Sequence, residues 1–403
     1  MTAMTLTFDA VDEATPGPKW AARWHRSWPA YEAWFVARGG DSGPSREECR
    51  SALRRHMPEL VPTYDRLVAL AGGSDRAARF LSTWCPPTYL GGCSVAAAAS
   101  KRHVRLVRNY DLSPELNEGL LLRTQWRGRA VMGMVEFLWG LSDGINDAGL
   151  CVALAYGGRS ETGVGFGITT ILRYVLETCD TVEEALVALA RVPSHMAYNL
   201  VLADASGRLA SVEMAPGGGL TVMPKPVATN HQSGNTAADR PAFTRTFERR
   251  AHLETLRVKP RKLNRHFLTP PLLQDRYAQG FGTLFTAEYD PKARALGLTL
   301  NGERWNQPLD AFEEGQRIAN YAQTPLARPT PATPPHSEPP SIGVDVDWAL
   351  AGSIDWSAVA RDFAEGRGRD IRSYLSTGAP RRSCAVPSVL PSSAQGPICH
   401  ATN

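Results

Sequence analysis

Between residues 19 and 83 the apolar residues recur every three or four positions, the spacing that aligns them along one face of a helix. The clearest piece is "SREECRSALRRHMPELVPTYDRLVALA", in which Ser45 fits the capping position and Pro62 interrupts the run. Residues 84–92, "WCPPTYLGG", contain two prolines and two glycines, which exclude a continuous helix. The pattern therefore predicts a helical N-terminal segment followed by a loop.

After residue 93 the apolar period shortens. "HVRLVRNYDL" alternates as a strand does, and it predicts a hairpin with strands near 93–100 and 104–111. Because strands and helices do not alternate regularly further on, the pattern favours mostly antiparallel sheets with helices outside. The other predicted strands are "GLCVALAYGG", "YNLVLAD", "RLASVEMAP", "LTVMPKPVATN", "LFTAEYD" and "LGLTLN". The other predicted helices are "GFGITTILRYVLET", "DTVEEALVALARV", with Thr181 and Glu184 in capping-box spacing, and 244–257.

Composition and charge narrow the function classes. The 403 residues are 43% hydrophobic and 21% charged, which is ordinary for a globular chain with a sizeable core. The balance of 44 basic and 40 acidic residues favours neither nucleic acid nor an anionic membrane as a partner. No apolar run is long enough for a transmembrane helix, and the N-terminus lacks a signal-peptide pattern. We therefore expect a cytoplasmic protein.

The C-terminal part and the cysteines add two expectations. Residues 324–345 are Pro-rich and predict an extended linker, and residues 346–403 predict a short helix followed by a disordered tail. The seven cysteines are irregularly spaced and the histidines do not cluster, so we expect no disulfide framework, no metal site and no cofactor. Cys151 and Cys179 lie in apolar stretches and are expected to be small core residues.

Cys93 stands apart because "YLGGCSVAAA" places it directly after two glycines. A flexible turn before a buried strand is one interpretation. The other is a self-cleaving bond: once Gly92–Cys93 is cut, Cys93 carries a free α-amino group. The pKa of such a group, about 7.7–8.0, suits a general base near neutral pH. The thiol and its base would then belong to one residue, and no histidine would be needed.

The segment "VRNYD" bears on this choice. Arg108 comes fifteen residues after Cys93, and Asp111 is three further on. The predicted hairpin would return them beside Cys93, where the guanidinium would lower the pKa of the thiol and the carboxylate could accept a hydrogen bond from the α-amine. A surface ion pair at a strand end is an equally good interpretation. The residues alone leave both open.

Seven segments, in order along roughly residues 20–320, carry a family resemblance. They are "FLSTWCPPTYLGGCS", "VRNYD", "LWGLSDGINDAGLCVALAYGGR", "GFGITTILRYVLETCDTVEEA", "MAYNLVLAD", "ATNHQ" and "TFERR". Together they resemble the cysteine-type N-terminal-nucleophile (Ntn) hydrolases, and among these the acyl-coenzyme A:6-aminopenicillanic acid acyltransferase (isopenicillin N acyltransferase) branch. The same superfamily includes bile-salt hydrolases, penicillin V acylases and acid-ceramidase-like amidases.

The resemblance implies a fold and a mode of synthesis. The fold class is α+β, the Ntn-hydrolase αββα sandwich of two mostly antiparallel sheets with helices outside. Synthesis is as an inactive zymogen, and autoproteolysis before Cys93 divides the chain. Residues 1–92 would form a helical propeptide or small subunit, and residues 93–323 the catalytic domain. The cut chains are expected to stay associated.

The resemblance also implies site roles. Cys93 matches the nucleophile, Arg108 the arginine beside it, and Asp111 the aspartate that binds the α-amine. In the same way, three further residues match the oxyanion hole and a second arginine. These are Asn230, whose side chain donates to the oxyanion, Tyr156, whose backbone N–H completes the hole, and Arg249, which has Arg245 and Arg250 close by.

The expected function is a self-processing N-terminal-cysteine amidohydrolase or acyltransferase that acts on a linear amide through a Cys93 thioester. The expected partner is a small-molecule amide or an acyl donor such as acyl-CoA. The segment "GNTAADRPAFTR", 234–245, departs from the family pattern beside the expected substrate pocket, so the acyl group and the amine stay open. Two alternatives remain: a non-catalytic Ntn-fold binding or scaffold protein, and an unprocessed Cys–His peptidase that uses His231.

Overall fold

The computed structural model describes residues 3–89, 91–234 and 244–322. The linker at 324–345, the helix and tail at 346–403 and most of the segment 234–245 lie outside these residues. The described α-helices are α1 (Pro18–Ala37), α2 (Arg46–His56), α3 (Val61–Leu70), α4 (Asp75–Ser82), α5 (Ile168–Thr178), α6 (Val182–Arg191), α7 (Thr246–Thr255) and α8 (Leu263–Phe267). No helix among the described residues is both long and apolar enough to span a membrane.

The strands form two sheets. The first sheet contains β1 (Ala3–Glu13), β4 (Leu120–Thr124), β5 (Val131–Glu136), β6 (Gly140–Asn146), β7 (Cys151–Tyr156), β8 (Tyr198–Ala203), β9 (Leu209–Met214), β10 (Leu220–Val222) and β16 (Gly315–Ala322). The second sheet contains β2 (Gly92–Ala99), β3 (Val104–Leu112), β11 (Val227–Ala228), β12 (Asp275–Arg276), β13 (Phe281–Asp290), β14 (Ala295–Leu300) and β15 (Glu303–Pro308).

The two sheets pack face to face, with β2 and β3 lying against β7 and β8. The helices α5 and α6 belong to the outer face of the first sheet, where α5 packs on β6, and α7 and α8 cover the second. All strand pairs are antiparallel except β1 with β4. The α+β sandwich with two mostly antiparallel sheets and helices outside is therefore confirmed. Every residue of β7 and β8 is buried, because a sheet covers one face of these strands and helices or loops cover the other.

Several local predictions are confirmed. Ser45 accepts a hydrogen bond from the backbone N–H of Glu48, which completes a capping box at the start of α2. Thr181 accepts a hydrogen bond from the backbone N–H of Glu184 at the start of α6, whereas the Glu184 side chain accepts from the backbone N–H of Asp180. The hairpin of β2 and β3 has the predicted bounds within two residues. Cys151 and Cys179 are buried core residues.

The predicted strand "LTVMPKPVATN" is wrong as a single element. Its first part is β10 in the first sheet, and its last part is β11, which pairs with β2 in the second sheet. Pro224 and Pro226 separate the two parts, and proline cannot donate to a strand ladder. This crossing places the residues after β11 at the end of β2, where Cys93 lies.

The N-terminal segment is not wholly helical, because Ala3–Glu13 forms β1. This strand lies inside the first sheet, parallel to β4 and antiparallel to β16. The alternating pattern "MTLTFDAV" is typical of such a strand, which is absent from the predicted elements. The segment before Cys93 is thus built into the same core as the segment after it.

Candidate active site

The β2–β3 hairpin fixes where Cys93 lies. Cys93 is the second residue of β2 and faces Tyr110 across the ladder, while Gly92 faces Asp111. Cys93 is buried, and it lines a cavity of about 220 Å³. The thiol is therefore a core group that nevertheless lines a cavity open to solvent on one side.

Gly92 is required on steric grounds. A Cβ atom at this position would lie 2.7 Å from the backbone oxygen of Asp111 and 2.3 Å from Cε2 of Phe281. Real Cβ atoms do not approach backbone oxygen so closely, so a larger residue would shift the strand end. The glycine before Cys93 lets the backbone of β2 lie close against β3.

Arg108 reaches Cys93 from the neighbouring strand. Its Nη2 donates to Cys93 Sγ at 3.1 Å, its Nε donates to the backbone oxygen of Leu154 at 3.1 Å, and its Nη1 bonds to Asp143 and Ser142. Arg108 and Asp143 are fully buried. The interpretation of Arg108 and Asp111 as a surface ion pair is therefore wrong. The carboxylate that bonds to Arg108 is Asp143, a residue that the sequence analysis did not identify.

The expected lowering of the Cys93 pKa is not observed in the uncut chain. Burial raises the pKa of this thiol to about 11, although the charge of Arg108 and its hydrogen bond act in the opposite direction. The negative charge of Asp111 raises the pKa further. Desolvation outweighs the guanidinium here because the thiol is fully buried.

Among the described residues, one of the two carboxylate oxygens of Asp111 has a hydrogen-bond partner and the other has none. Its Oδ1 accepts a hydrogen bond from Thr283 Oγ1 at 2.6 Å. Its Oδ2 is buried, has no hydrogen-bond partner among the described residues, and lies 3.8 Å from Arg249 Nη1. Burial raises the pKa of Asp111 to about 6, and Arg249 and Thr283 reduce the rise. An acceptor oxygen without a donor is thus held one strand away from Gly92.

Arg249 forms hydrogen bonds to both backbone and side-chain atoms around Cys93. From α7, its Nη1 donates to the backbone oxygen of Cys93 at 2.6 Å and to Ser94 Oγ at 2.8 Å. Its Nε donates to the backbone oxygen of Thr244 at 2.8 Å. Of the neighbouring Arg245, Arg249 and Arg250, it is Arg249 that forms a hydrogen bond to Cys93. The other two pair with surface or rim carboxylates, Arg245 with Glu248 and Arg250 with Glu213 and Glu254.

Asn230 follows β11 and joins three of these groups. Its Oδ1 accepts hydrogen bonds from the backbone N–H of Cys93 at 3.0 Å and from Arg249 Nη2 at 2.9 Å. Two donors on one oxygen fix the orientation of the amide. Its Nδ2 donates to the backbone oxygen of Tyr156 at 3.2 Å. The second hydrogen on Nδ2 is the one that an oxyanion could use.

The six predicted site residues therefore come together. Arg108, Asn230 and Arg249 bond to Cys93, Asp111 lies beside Arg249, and Tyr156 accepts from Asn230 while lining the cavity. Tyr156 ends β7, directly opposite Tyr198.

His231 has other neighbours. Its Nδ1 lies 3.2 Å from Thr229 Oγ1 and 3.0 Å from Thr246 Oγ1, and its ring packs on Phe247 with 4.2 Å between centroids. These contacts hold the imidazole between β11 and α7. Among the described residues, no three His, Cys, Asp or Glu side chains come together as metal ligands would.

Sequence reasoning missed three polar partners of the site. They are Asp143 behind Arg108, Thr283 beside Asp111, and Glu136 in the cavity wall. Asp143 and Thr283 each lie within a buried strand, β6 and β13. A charged or hydroxyl residue inside an apolar strand is the signal that could have identified them, because buried polar groups need partners.

Comparison with models of known protein families identifies one family. A profile of the family described as "Acyl-coenzyme A:6-aminopenicillanic acid acyl-transferase" matches residues 98–305, a range that begins after Cys93 and includes the other five predicted site residues. No curated protein matches the chain.

Solved structures with a similar fold include a conjugated bile acid hydrolase from Clostridium perfringens, at 14% identity over 58% of this chain and 99% of that chain, with a TM-score of 0.38. A penicillin V acylase from Agrobacterium tumefaciens is 15% identical over 53% of this chain and 84% of that chain, with a TM-score of 0.36. A Caenorhabditis elegans N-acylethanolamine-hydrolyzing acid amidase ortholog is 16% identical over 50% and 93%, with a TM-score of 0.35.

Proposed function

Because the chain belongs to the acyl-coenzyme A:6-aminopenicillanic acid acyl-transferase family, and is thereby an amide-acting hydrolase or acyltransferase, we propose that it cuts its own Gly92–Cys93 bond and then uses Cys93 as an N-terminal nucleophile. The substrate is a linear amide or an acyl donor such as acyl-CoA. The observation that carries the proposal is that three side chains form hydrogen bonds to Cys93. Arg108 donates to its sulfur, Asn230 accepts from its backbone N–H, and Arg249 donates to its carbonyl oxygen.

Self-cleavage begins with the attack of Cys93 Sγ on the carbonyl carbon of Gly92. The C–N bond breaks, a thioester forms between Gly92 and the sulfur, and the thiol proton passes to the freed amino group. Water then hydrolyses the thioester, which releases the Gly92 carboxylate and the thiol. The missing side chain of Gly92 leaves the carbonyl accessible within the tight strand pair.

Turnover repeats the same chemistry on an external amide. The α-amine of Cys93 takes the thiol proton, the thiolate attacks the substrate carbonyl, and the ammonium returns a proton to the leaving amine. Asn230 Nδ2 and the Tyr156 N–H stabilise the oxyanion, a contribution of about 2.7–4 kcal/mol per donor in comparable enzymes. The uncommitted Oδ2 of Asp111 accepts a hydrogen bond from the α-ammonium. Water resolves the thioester in hydrolysis, and an amine resolves it in acyl transfer.

Intact-mass analysis of the purified protein tests the proposal. We expect two chains that divide between Gly92 and Cys93 in the wild type, and one uncut chain in Cys93→Ala, because that variant lacks the attacking sulfur. His231→Ala is the control for a Cys–His peptidase, and it should still cut itself. A wild-type chain that stays whole under native conditions would contradict the proposal and favour the two alternatives, a binding or scaffold protein with this fold and an unprocessed Cys–His peptidase.

The rate of self-cleavage should rise with pH. Because burial raises the pKa of the Cys93 thiol in the uncut chain to about 11, the reactive thiolate is a minor species at neutral pH. Its population, and hence the cleavage rate constant, should increase about tenfold per pH unit between about pH 7 and 9. Precursor made by cell-free synthesis at low pH, diluted into each buffer and followed by intact mass, measures this rate. A rate that does not change over this range would indicate attack by a thiol assisted by a separate base.

A further inference from the structure

The cavity beside Cys93 combines an aromatic wall with two carboxylates. We infer that it selects an acyl group that ends in a cation, a protonated amine or a quaternary ammonium, and that Glu136 is the carboxylate that binds it. The inference rests on the proposed thioester chemistry at Cys93, and it names the class of acyl group that this chemistry transfers.

The position of the cavity relative to the scissile bond identifies the part of the substrate that it holds. In self-cleavage, the residues before Cys93 are the acyl part of the reacting amide. Thr88, Tyr89 and Gly91, all on that side, line the cavity. Since the same sulfur attacks in self-cleavage and in turnover, the acyl group of an external substrate extends into this space. Its volume of about 220 Å³ is sufficient for an acyl chain with a terminal polar group.

The wall of the cavity is a continuous set of aromatic rings centred on Phe137. The ring of Phe137 lies 4.6 Å from that of Tyr89, 5.9 Å from Tyr31 and 5.7 Å from Trp34, measured between centroids. Tyr89 in turn lies 6.2 Å from Tyr198. Aromatic faces attract ammonium groups, most strongly where water is excluded.

A strained turn holds Phe137 in this position. Phe137 and Leu138, between β5 and β6, have φ of 58° and 67°, and neither is a glycine. Left-handed conformations at two consecutive bulky residues are sterically unfavourable. Such strain is retained where a side chain has to be held in a functional position, and here the turn holds Phe137 in the cavity and Glu136 just before it.

Glu136 and Glu118 are the two carboxylates of the cavity. Glu118 is already engaged, since it accepts hydrogen bonds from the Tyr31 hydroxyl and from the backbone N–H of Leu138. Burial raises the pKa of Glu118 to about 7 and raises that of Glu136 as well. The surroundings therefore compensate the negative charge of each carboxylate incompletely. A cationic ligand supplies the positive charge that is lacking.

The groups near the cavity supply only part of this charge: the charge of Arg108 and a hydrogen bond to Tyr110 lower the pKa of Glu136, but burial outweighs both. Arg108 is committed to Asp143 and Cys93, and its guanidinium already lies 4.7 Å from the centroid of the Tyr110 ring. Arg38, from α1, is the other basic residue of the lining and is partly exposed to solvent. Besides Arg38, the acyl site is therefore lined by two carboxylates and by one arginine that already bonds to Asp143 and Cys93, which favours a positive over a negative acyl terminus.

Thiol-directed probes of matched shape test the inference at Cys93 itself. The cationic probe is 2-(trimethylammonium)ethyl methanethiosulfonate, the neutral probe is its carbon isostere 3,3-dimethylbutyl methanethiosulfonate, and the anionic probe is 2-sulfonatoethyl methanethiosulfonate. In each reaction the thiolate forms a mixed disulfide and methanesulfinate leaves. Second-order rate constants at Cys93, read by peptide mass and divided by those for 2-mercaptoethanol, report recognition by the cavity.

We expect the normalised rate at Cys93 to be about tenfold higher for the cationic than for the neutral probe, and lower for the anionic probe. Glu136→Gln keeps the shape of the side chain and should bring the cation-to-neutral ratio close to one. Glu183→Gln is the matched control, because Glu183 is an exposed carboxylate on α6 paired with Arg208. It should leave the ratio unchanged.

Two outcomes separate the inference from the proposed function. A wild-type ratio of one or less, at a Cys93 that is N-terminal and reactive, overturns the cationic acyl group and leaves the Ntn chemistry intact. A ratio that persists in Glu136→Gln overturns the assignment of Glu136. An uncut chain whose Cys93 reacts with none of the probes overturns both the inference and the proposed function. The wild-type ratio decides the first question even if Glu136→Gln fails to fold.

Discussion

Replacing Arg249 with alanine is expected to destabilise the chain by about 3–5 kcal/mol and to abolish self-cleavage. The guanidinium is fully buried, and its removal leaves the backbone oxygen of Cys93 and Oδ1 of Asn230 each without one donor. It also leaves the buried carboxylate of Asp111 without its nearest cation. Breaking one half of a buried charge pair costs more than the pair itself contributes, because the remaining charge stays desolvated.

The measurement is denaturant unfolding in a Cys93→Ala background, so that every variant is compared as one uncut chain. The test of cause is the double variant Arg249→Ala with Asp111→Asn. Removing the uncompensated carboxylate should recover part of the lost stability, whereas two independent losses would simply add. Arg249→Lys keeps a charge but cannot form the same set of bonds, so it should still fail to cut itself. An Arg249→Ala chain that cuts at the wild-type rate would refute the role of this arginine.

The sequence predicts the hairpin around Cys93 well because the signals are local. The alternation in "HVRLVRNYDL" and the glycines before Cys93 specify β2 and β3 without reference to the rest of the chain. The strands β4, β5 and β6 were not predicted as elements. They are buried on both sides and contain glycines such as Gly133 and Gly144, where a Cβ would meet the neighbouring strand or helix. Such strands lack the alternation of apolar and polar residues on which the prediction of a strand depends.

The six predicted site residues lie together in the fold, but their electrostatics differ from those predicted from the sequence. The resemblance identified Cys93 and Arg108, and geometry brings them to 3.1 Å. The sequence suggested a thiol acidified by that arginine. Arg108 does act in that direction, but burial in the surrounding core outweighs it and raises the pKa of the thiol. Whether a charge is compensated depends on contacts between distant elements, which spacing along a chain does not reveal.

Part of the cavity wall comes from the N-terminal segment, residues 1–92. Tyr31 and Trp34, on α1, line the space into which the thiol opens. Tyr31 also donates to Glu118, which follows β3. If the bond before Cys93 is cut, the resulting N-terminal chain is therefore a wall of the active site as well as a former propeptide, and substrate selection depends on both chains.

Residues 93–403 expressed without residues 1–92 are expected not to fold. The missing part removes β1 from the interior of the first sheet, and β16 has no other strand neighbour among the described residues. It also removes α1, which alone contributes five buried aromatic side chains to the common core, Trp20, Trp24, Tyr31, Trp34 and Phe35. Each contributes about 1.5–3 kcal/mol by burial. Their sum is comparable to the whole stability of a typical domain, about 5–15 kcal/mol.

Solubility, circular dichroism and size-exclusion chromatography measure this outcome. Co-expression of residues 1–92 as a separate chain should restore a folded complex, because β1 can pair with β4 and β16 without a covalent link to β2. The same register predicts that self-cut protein elutes as one species in native buffer and separates only in denaturant. A folded, monodisperse 93–403 alone would show that β1 is dispensable. In that case β16 would have to pair elsewhere, since its present register depends on β1 alone among the described strands.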